Sequence, residues 1–417
     1  MSERIYAFGL NNYGQLGLGH TDYVINFTKV EGGWEKIVAM KCVGTHTILR
    51  SEDGKIYAAG RNNIGQLGLG HTNAVCVFEE VASGLGKISE MSCEANKTVL
   101  RSVDGKVYAA GGNYWGQLGL GHKKIISTLT EVTGVWNIAE ISCGGNHTFL
   151  RSVSGKVYAA GCNDDGQLGI GKTDRAIRFT EVAGGWGKIA EISCGINHTF
   201  LRSVSDKLYS AGRNHRGQLG LAHIGTNNVY TFKELWGDRR KIAKISCGWN
   251  HTFLQYADNK LYATGDNSYG QLGIGGIFDE SADYFQEAKG CWGEIAEISI
   301  SVSYTILRSV CGKIYATGNG LCSNNNILNH TFKELFPQVL DRIVRIAKIS
   351  CDNHTFMIEG SICQKCKKVF TPKRLSDEML MATKIPGICA DMIYKIIKLY
   401  ARMSEKSDCS KGGHCHC

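Results

Sequence analysis

Four cysteines carry the most recognisable ligand chemistry in this chain. Cys363-Gln364-Lys365-Cys366 has the two-residue spacing of a metal knuckle, and Cys409 and Cys415 offer further soft ligands. Tetrahedral zinc on Cys363, Cys366, Cys409 and Cys415 is sensible chemistry for thiolates in a reducing compartment. The long gap before Cys409 does not match RING spacing, so a metal-free, thiol-rich end is the alternative. A second set recurs along the chain: His46, His147, His198, His251 and His354 each precede a threonine, with Lys97 and Tyr304 in the equivalent places of two other repeats. A ring of histidines near one mouth of a channel would suit a metal or an anion. The plainer expectation is that each His or Thr bonds to a nearby turn and steadies its own repeat.

Other residues suit contact better than catalysis. Trp115, Trp249 and Tyr269 break the repeat pattern and fall in loops, where exposed aromatic side chains make contact residues. Arg239-Arg240-Lys241 is the sharpest basic cluster before residue 360. Gly14 to Gly19 and its copies resemble phosphate-binding loops only superficially, because no Gly-Lys-Ser/Thr opening a helix follows. Turn geometry accounts for these glycines, with Gln15 and its equivalents expected to bond to backbone within the turn. No nucleophile–base pair, paired carboxylates or cofactor fingerprint stands out. The chain is therefore expected to be no enzyme and to need no cofactor, the zinc site apart.

What must position these residues is a repeat. Gly-Gln-Leu-Gly begins at Gly14, Gly65, Gly116, Gly166, Gly217 and Gly270, and a strand tyrosine recurs at Tyr6, Tyr57, Tyr108, Tyr158, Tyr209, Tyr262 and Tyr315. A third landmark runs through Cys42, Cys93, Cys143, Cys194, Cys247, Ile300 and Cys351. Seven of a landmark means seven units of about 51 residues. Each reads as four short strands, in the fourth unit 138–143, 147–152, 156–160 and 179–182. Asp53-Gly54 and Asp104-Gly105 are hairpin turns. Such a sheet cannot bury both faces alone, but radial stacking can do so. The chain opens with a third and fourth strand (5–8 and 27–30) and the repeats end with a first and second (346–351 and 354–358). The expected fold is thus all-β: a seven-bladed β-propeller of four-stranded blades over residues 1–360, closed by its N- and C-terminal strands.

Residues 361–417 read as a basic Cys/His-containing tail, partly helical. Eleven Lys/Arg stand there against five Asp/Glu, which makes nucleic acid or chromatin a candidate partner. Ile393, Ile396, Ile397 and Tyr400 share one face of a short amphipathic helix over 389–403. No secretory signal and no apolar run of about 20 residues occurs, so an intracellular protein, cytoplasmic or nuclear, with mostly free thiols is expected.

The consensus Val-Tyr-Ala-Ala-Gly-x-Asn-x-x-Gly-Gln-Leu-Gly, followed by Glu-Val, Gly-Trp and Ile-Ala-Glu-Ile-Ser-Cys-Gly-x-Asn-His-Thr, resembles the RCC1 (regulator of chromosome condensation) repeat. The resemblance covers residues 4–358, and the seventh copy departs from it at Gly318-Asn319-Gly320-Leu321-Cys322. It implies a binding platform whose specificity lies in the loops after each Gly-Gln-Leu-Gly, roughly 20–26, 71–77, 122–128, 172–178, 221–231, 276–286 and 321–331. A protein–protein interaction scaffold is the leading expectation. Guanine-nucleotide exchange on a Ran-type small GTPase is the first alternative that the resemblance implies, although no repeat carries an insertion the size of the family's exchange wedge. A ubiquitylation adaptor with a zinc-binding tail is the second.

Overall fold

Strands form where Val, Ile, Tyr and Thr crowd the sequence, and they stop at glycines that must turn. Blade 4 shows the plan: Ile138–Cys143, His147–Ser152, Val157–Gly161 and Ala176–Glu181 pair in that order as an antiparallel meander. The hairpin between its second and third strands turns through Gly155 at φ +84°. In blades 5 and 6 the same left-handed position falls to Asp206 and Asn259, the non-glycine types that tolerate it best. The computed structural model describes residues 4–359 apart from 82–83, 95, 136, 223–224, 236–239, 276–280, 320–328, 336–345 and 352–353. It contains seven such four-stranded sheets, which we number blade 1 (346–359 with 5–30), blade 2 (37–80), blade 3 (88–131), blade 4 (138–181), blade 5 (189–234), blade 6 (242–287) and blade 7 (295–335).

Blade 1 closes the ring. Its order is Val24–Val30, Ile5–Gly9, His354–Glu359, Ile346–Cys351, and Ile5–Gly9 pairs antiparallel with His354–Glu359 from Ile5 opposite Ile358 to Gly9 opposite His354. The fourth strands are longer than expected, beginning at Val24, Val75, Ile126, Ala176, Val229, Ala282 and Asn329. They take the later residues of each variable loop. The cause is a register shift: Ala159 opposes Thr180 while Gly161 opposes Ala176, so the early part of the strand loses its regular alternation.

The first strands of neighbouring blades touch one another around the axis, so each shows an edge that no strand pairs. Side chains from the neighbouring blade seal it. Ser92, Ser142 and Ser193 accept the backbone N–H of Cys143, Cys194 and Cys247 at 2.9, 3.0 and 3.1 Å. Glu90, Glu140 and Glu191 accept those of Ile141, Ile192 and Ile245 at 3.4, 3.2 and 2.9 Å. Each glutamate also pairs with the arginine opposite it, Arg101, Arg151 or Arg202. Blade 2 carries Ala39 and Lys41 at these two positions, and blade 6 carries Lys244 in place of glutamate. The three seams from blade 3 to blade 6 are thus stitched by both side chains.

The repeated histidines lie inside the seams on the second strands, not at the mouth of a channel. His46, His147, His198 and His251 are fully buried. Two of them bond across a seam and not within their own blade: His147 Nε2 meets Thr199 Oγ1 of blade 5 at 2.9 Å, and His198 Nε2 meets Thr252 Oγ1 of blade 6 at 2.9 Å. The threonines in turn donate back across the seam to the carbonyls of Gln167 and Gln218. The histidine ring needs room, and glycine supplies it: a Cβ on Gly144 would stand 2.1 Å from His147 Cε1. The relay is not made everywhere: in blade 6, where Gly248 is kept, neither His251 ring nitrogen has a partner among the described residues. Val43 holds the equivalent place in blade 2, and both His46 ring nitrogens lack a partner among the described residues. Blade 3 has Glu94 there, and Lys97 replaces histidine; its buried ammonium donates to Gly144 O and, at 3.0 Å, to Gly145 O. Burial holds the imidazoles neutral, lowering His46 to about 4, His198 to about 3 and His251 to about 4.

Apolar packing fills the rest of each seam. Phe149, Phe200 and Phe253 are fully buried, each contributing about 2–3 kcal/mol of burial. Trp34, Trp186 and Trp292 stand edge-on to Phe78, Phe232 and Phe332 with centroids 5.5, 5.4 and 5.3 Å apart. Trp136 and Trp236 lie outside the described residues. Nine cysteines between Cys42 and Cys311 are free thiols. Burial pushes Cys93 and Cys247 up to about 12, so these behave as small hydrophobes.

Candidate interaction face

The meander places the first-to-second and third-to-fourth connections of every blade at one end of the ring. The second-to-third hairpins and the links between blades lie at the other. All the Gly-Gln-Leu-Gly loops therefore share one face.

Each loop is wired by its own invariant side chains. In blade 1 the Asn11 Oδ1 accepts the Leu16 N–H at 2.9 Å, its amide donates to His20 O, and Gln15 Oε1 accepts the Tyr13 N–H at 2.9 Å. Asn113 and Gln117 repeat this in blade 3, as do Asn163 and Gln167 in blade 4. Gly169 cannot be replaced, because at φ +66° its Cβ would lie 2.3 Å from the Phe232 ring. Of the two residues before each Gly-Gln-Leu-Gly, Asn12, Tyr13, Asn63, Tyr114, Asp164, His215, Arg216 and Tyr269 are exposed, whereas Ile64, Trp115, Asp165 and Ser268 are half-buried.

Trp115, Trp249 and Tyr269 all come to this face. Trp249 is 40% exposed and Tyr269 44% exposed. Trp115 is half-buried because the Arg175 guanidinium of blade 4 lies 3.7 Å over its ring, itself held by Asp164 at 3.0 Å. That hydrogen bond from Arg175 keeps the Asp164 carboxyl below its usual range. Tyr114, 61% exposed beside Trp115, is a further exposed aromatic side chain of this face that the sequence pattern did not single out; its place one residue further from the motif was the available signal. Arg61 likewise lies 5.3 Å over Tyr13 of the preceding blade.

The basic cluster sits on the opposite face and is divided. Arg240 lies over the rings of Tyr256 and Tyr262 at 4.1 and 4.4 Å and donates to Tyr262 Oη at 3.1 Å. Lys241 is exposed, and Arg239 lies outside the described residues, as do Cys363, Cys366, Cys409, Cys415 and the whole of 361–417. Among the described residues no group of three or more His, Cys, Asp or Glu could hold a metal ion, and no helix is long and apolar enough to cross a membrane.

A ring of repeat-built blades with a wired loop face defines a class of platform proteins, and comparison with known sequences places the chain within it. The "Regulator of chromosome condensation (RCC1) repeat" matches residues 2–49, 104–150, 154–201 and 205–255, and a second profile of that description matches 138–167, 189–218 and 242–271. The chain belongs to the RCC1-repeat family. The X-linked retinitis pigmentosa GTPase regulator of Mus musculus is 40% identical over 284 residues, 66% of this chain and 28% of that protein. The chain thus spans little more than a quarter of that relative. The secretion-regulating guanine nucleotide exchange factor of Bos taurus is 29% identical over 282 residues, covering 64% of this chain and 61% of that protein. Yeast RCC1 (Prp20), solved bound to Kap60, superposes with a TM-score of 0.77 at 19% identity over 91% of this chain and 92% of that one. That likeness is one of fold.

Proposed function

We propose that this protein is an intracellular interaction scaffold that binds a protein partner through the Gly-Gln-Leu-Gly face. The observation that carries this reading is the division of labour in each loop. Asparagine, glutamine and glycine fix the backbone, while the two positions before the motif vary from blade to blade and include the exposed Tyr13, Tyr114 and Tyr269. Exposed aromatic side chains on a rigid frame are the usual anchors of protein contacts. The test is capture of partners by the full chain compared with Tyr114→Ala/Trp249→Ala and, on the opposite face, Lys241→Ala. A specific partner should be lost by about tenfold with the aromatic variant and kept with the lysine variant, at unchanged melting temperature. Equal capture by all three would overturn the assignment of the face.

Guanine-nucleotide exchange on a Ran-type GTPase is the second reading, favoured by relatives whose names include a GTPase regulator and an exchange factor. Release of fluorescent GDP from such a GTPase, accelerated by the protein, would establish it; an unchanged rate would remove it. For the tail we propose zinc on Cys363, Cys366, Cys409 and Cys415, on spacing and ligand softness. Metal analysis of the full chain against Cys363→Ser/Cys366→Ser tests it, with equal zinc in both ending the proposal.

A further inference from the structure

One register pair recurs in all seven blades: a residue of the first strand and the residue opposite it on the second. Blades 3, 4, 5 and 7 fill it with an ion pair, Glu90 with Arg101, Glu140 with Arg151, Glu191 with Arg202 and Glu297 with Arg308. Blades 6 and 1 have neither member: Lys244 stands opposite Gln255, and Lys348 opposite Ile358. Blade 2 lacks only the acid. Ala39 stands opposite Arg50, and the arginine remains. The buried Arg50 Nε has no partner among the described residues, and Nη1 reaches Ile88 O of blade 3 only at 3.5 Å. Burial lowers the pKa of this guanidinium.

The facing edge of blade 3 supplies two more donors. Between blades 3 and 4, Glu90 Oε1 accepts the Ile141 N–H and Ser92 Oγ accepts the Cys143 N–H. One blade earlier the counterparts are the N–H groups of Met91 and Cys93. Ala39 has no side-chain acceptor for the first, and Lys41, in the serine's place, has none for the second. Lys41 is exposed. Burial raises the Cys93 thiol and the Lys41 charge draws it back, which sets that ammonium beside blade 3. In blade 4 one carboxylate joins the equivalent donors, with Glu140 Oε2 at 2.7 Å from Arg151 Nε and Oε1 at 3.2 Å from the Ile192 N–H. What glutamate carries beyond Cβ, and alanine lacks, is one methylene and a carboxylate: the heavy atoms of acetate. The side chains of Glu90, Glu140 and Glu191 are 29%, 19% and 16% exposed. The same place in blade 2 is thus open to solvent along the axis but walled on most sides, which suits a small ion. The acids of the facing strand do not compete for these donors. Glu90 is taken by Arg101 and the Ile141 N–H, and Glu94 stands opposite Lys97, about 10 Å along the strand from Met91.

We propose that the seam between blades 2 and 3 binds a small carboxylate ion of the size of acetate. One oxygen accepts from Arg50 Nε and the other from the Met91 N–H, with the Lys41 ammonium beside them. The ion is a removable counterpart of the glutamate that four other blades carry, so this seam alone is stitched or released with the supply of carboxylate. The site does not depend on the loop face or on any protein partner.

Thermal unfolding of the full chain in sodium acetate and in sodium chloride, each at about 100 mM and neutral pH, tests the proposal. Acetate, with a dissociation constant on the order of 1–10 mM, should raise the midpoint by about 1–3 °C over chloride. Ala39→Glu supplies the carboxylate covalently, and Arg50→Gln copies the arrangement of blade 6; each should melt at the same temperature in the two salts. Line broadening of carbon-13-labelled acetate by the unaltered protein should likewise vanish with both variants. Equal midpoints for the unaltered chain, or an acetate effect that survives in both variants, would overturn the site. A blocked Gly-Glu-Gly peptide, which offers the same carboxylate on a chain, should bind at least about tenfold more weakly than acetate. Binding as tight or tighter would make the occupant a partner's side chain and overturn the assignment to a free ion.

Discussion

His147 Nε2 and Thr199 Oγ1 stand 2.9 Å apart across the seam between blades 4 and 5, and the Thr199 hydroxyl already donates to Gln167 O. Thr199 can therefore only accept from the imidazole, which fixes the Nε2–H tautomer of His147. A neutral histidine is thus part of the joint between blades, and His198 repeats it with Thr252.

Acid should loosen the ring. The folded protein binds protons on His46, His198 and His251 only near pH 4, 3 and 4, whereas an unfolded histidine binds them near 6.5. The unfolded state takes up more protons as pH falls below about 6.5, so stability is fully present above that value and declines towards pH 4. The slope is up to about 1.4 kcal/mol per histidine per pH unit. Urea unfolding at pH 7.5, 6 and 5 measures it, and His198→Gln should flatten the curve. A stability independent of pH over this window would contradict the buried neutral ring.

Lys97 should be inseparable from Glu94. Lys97→Met leaves the carbonyls of Gly144 and Gly145 without their donor, at a cost of about 2–4 kcal/mol. Lys97→His alone should rescue little, because histidine in blades 4 and 5 occupies space that Gly144 and Gly195 leave open. Glu94→Gly/Lys97→His should recover about 1 kcal/mol or more over the single histidine variant. Denaturant midpoints of the four proteins decide whether the coupling exists.

Ala39→Glu should stabilise the protein. Ala39 lies opposite Arg50, whose buried Nε has no partner among the described residues. Blades 3, 4, 5 and 7 place Glu90, Glu140, Glu191 and Glu297 against the equivalent arginines. A glutamate at position 39 would pair with Arg50 and offer an acceptor to the Met91 N–H. A gain of about 1 kcal/mol is expected, seen as a melting temperature higher by about 1–2 °C. An unchanged or lower value would show that this seam excludes the longer side chain.

Removal of residues 1–30 should unfold more than one sheet. It takes away two of the four strands of blade 1 and strips His354–Glu359 of its partner Ile5–Gly9. Blades 7 and 2 would then each face an incomplete neighbour. A broad, early thermal transition is expected in place of a single cooperative one; an unaltered melting curve would mean the closing blade is dispensable.

Architecture was the legible part of the sequence. Seven tyrosines and seven strand landmarks in register set the blade number, and the split of strands between residues 5–30 and 346–359 announced the closure. The histidines were legible only as a pattern. Their spacing showed that they recur, but the partner of His147 lies 52 positions away in the next repeat, a relation that no single repeat contains. The coupling of Gly144 to His147, and of Glu94 to Lys97, is visible in the letters once the seam is known. Tyr114 carries no repeat signal of its own beside Trp115, and only its 61% exposure marks it. An irregular pairing hides half of each fourth strand's alternation, so its early residues carry no strand pattern.

The loop wiring has one more consequence. Because Asn11, Gln15 and their counterparts hold the backbone with their own side chains, the residues just before each Gly-Gln-Leu-Gly can be exchanged with the turn kept. Six loops around one circle then behave as a dial whose settings touch only their neighbours, as Trp115 does through Arg175 and Tyr13 through Arg61. A lineage could retune what the circle touches one sector at a time, and grafting Tyr114-Trp115 onto the Asn63-Ile64 sector should transplant adhesiveness with the frame intact.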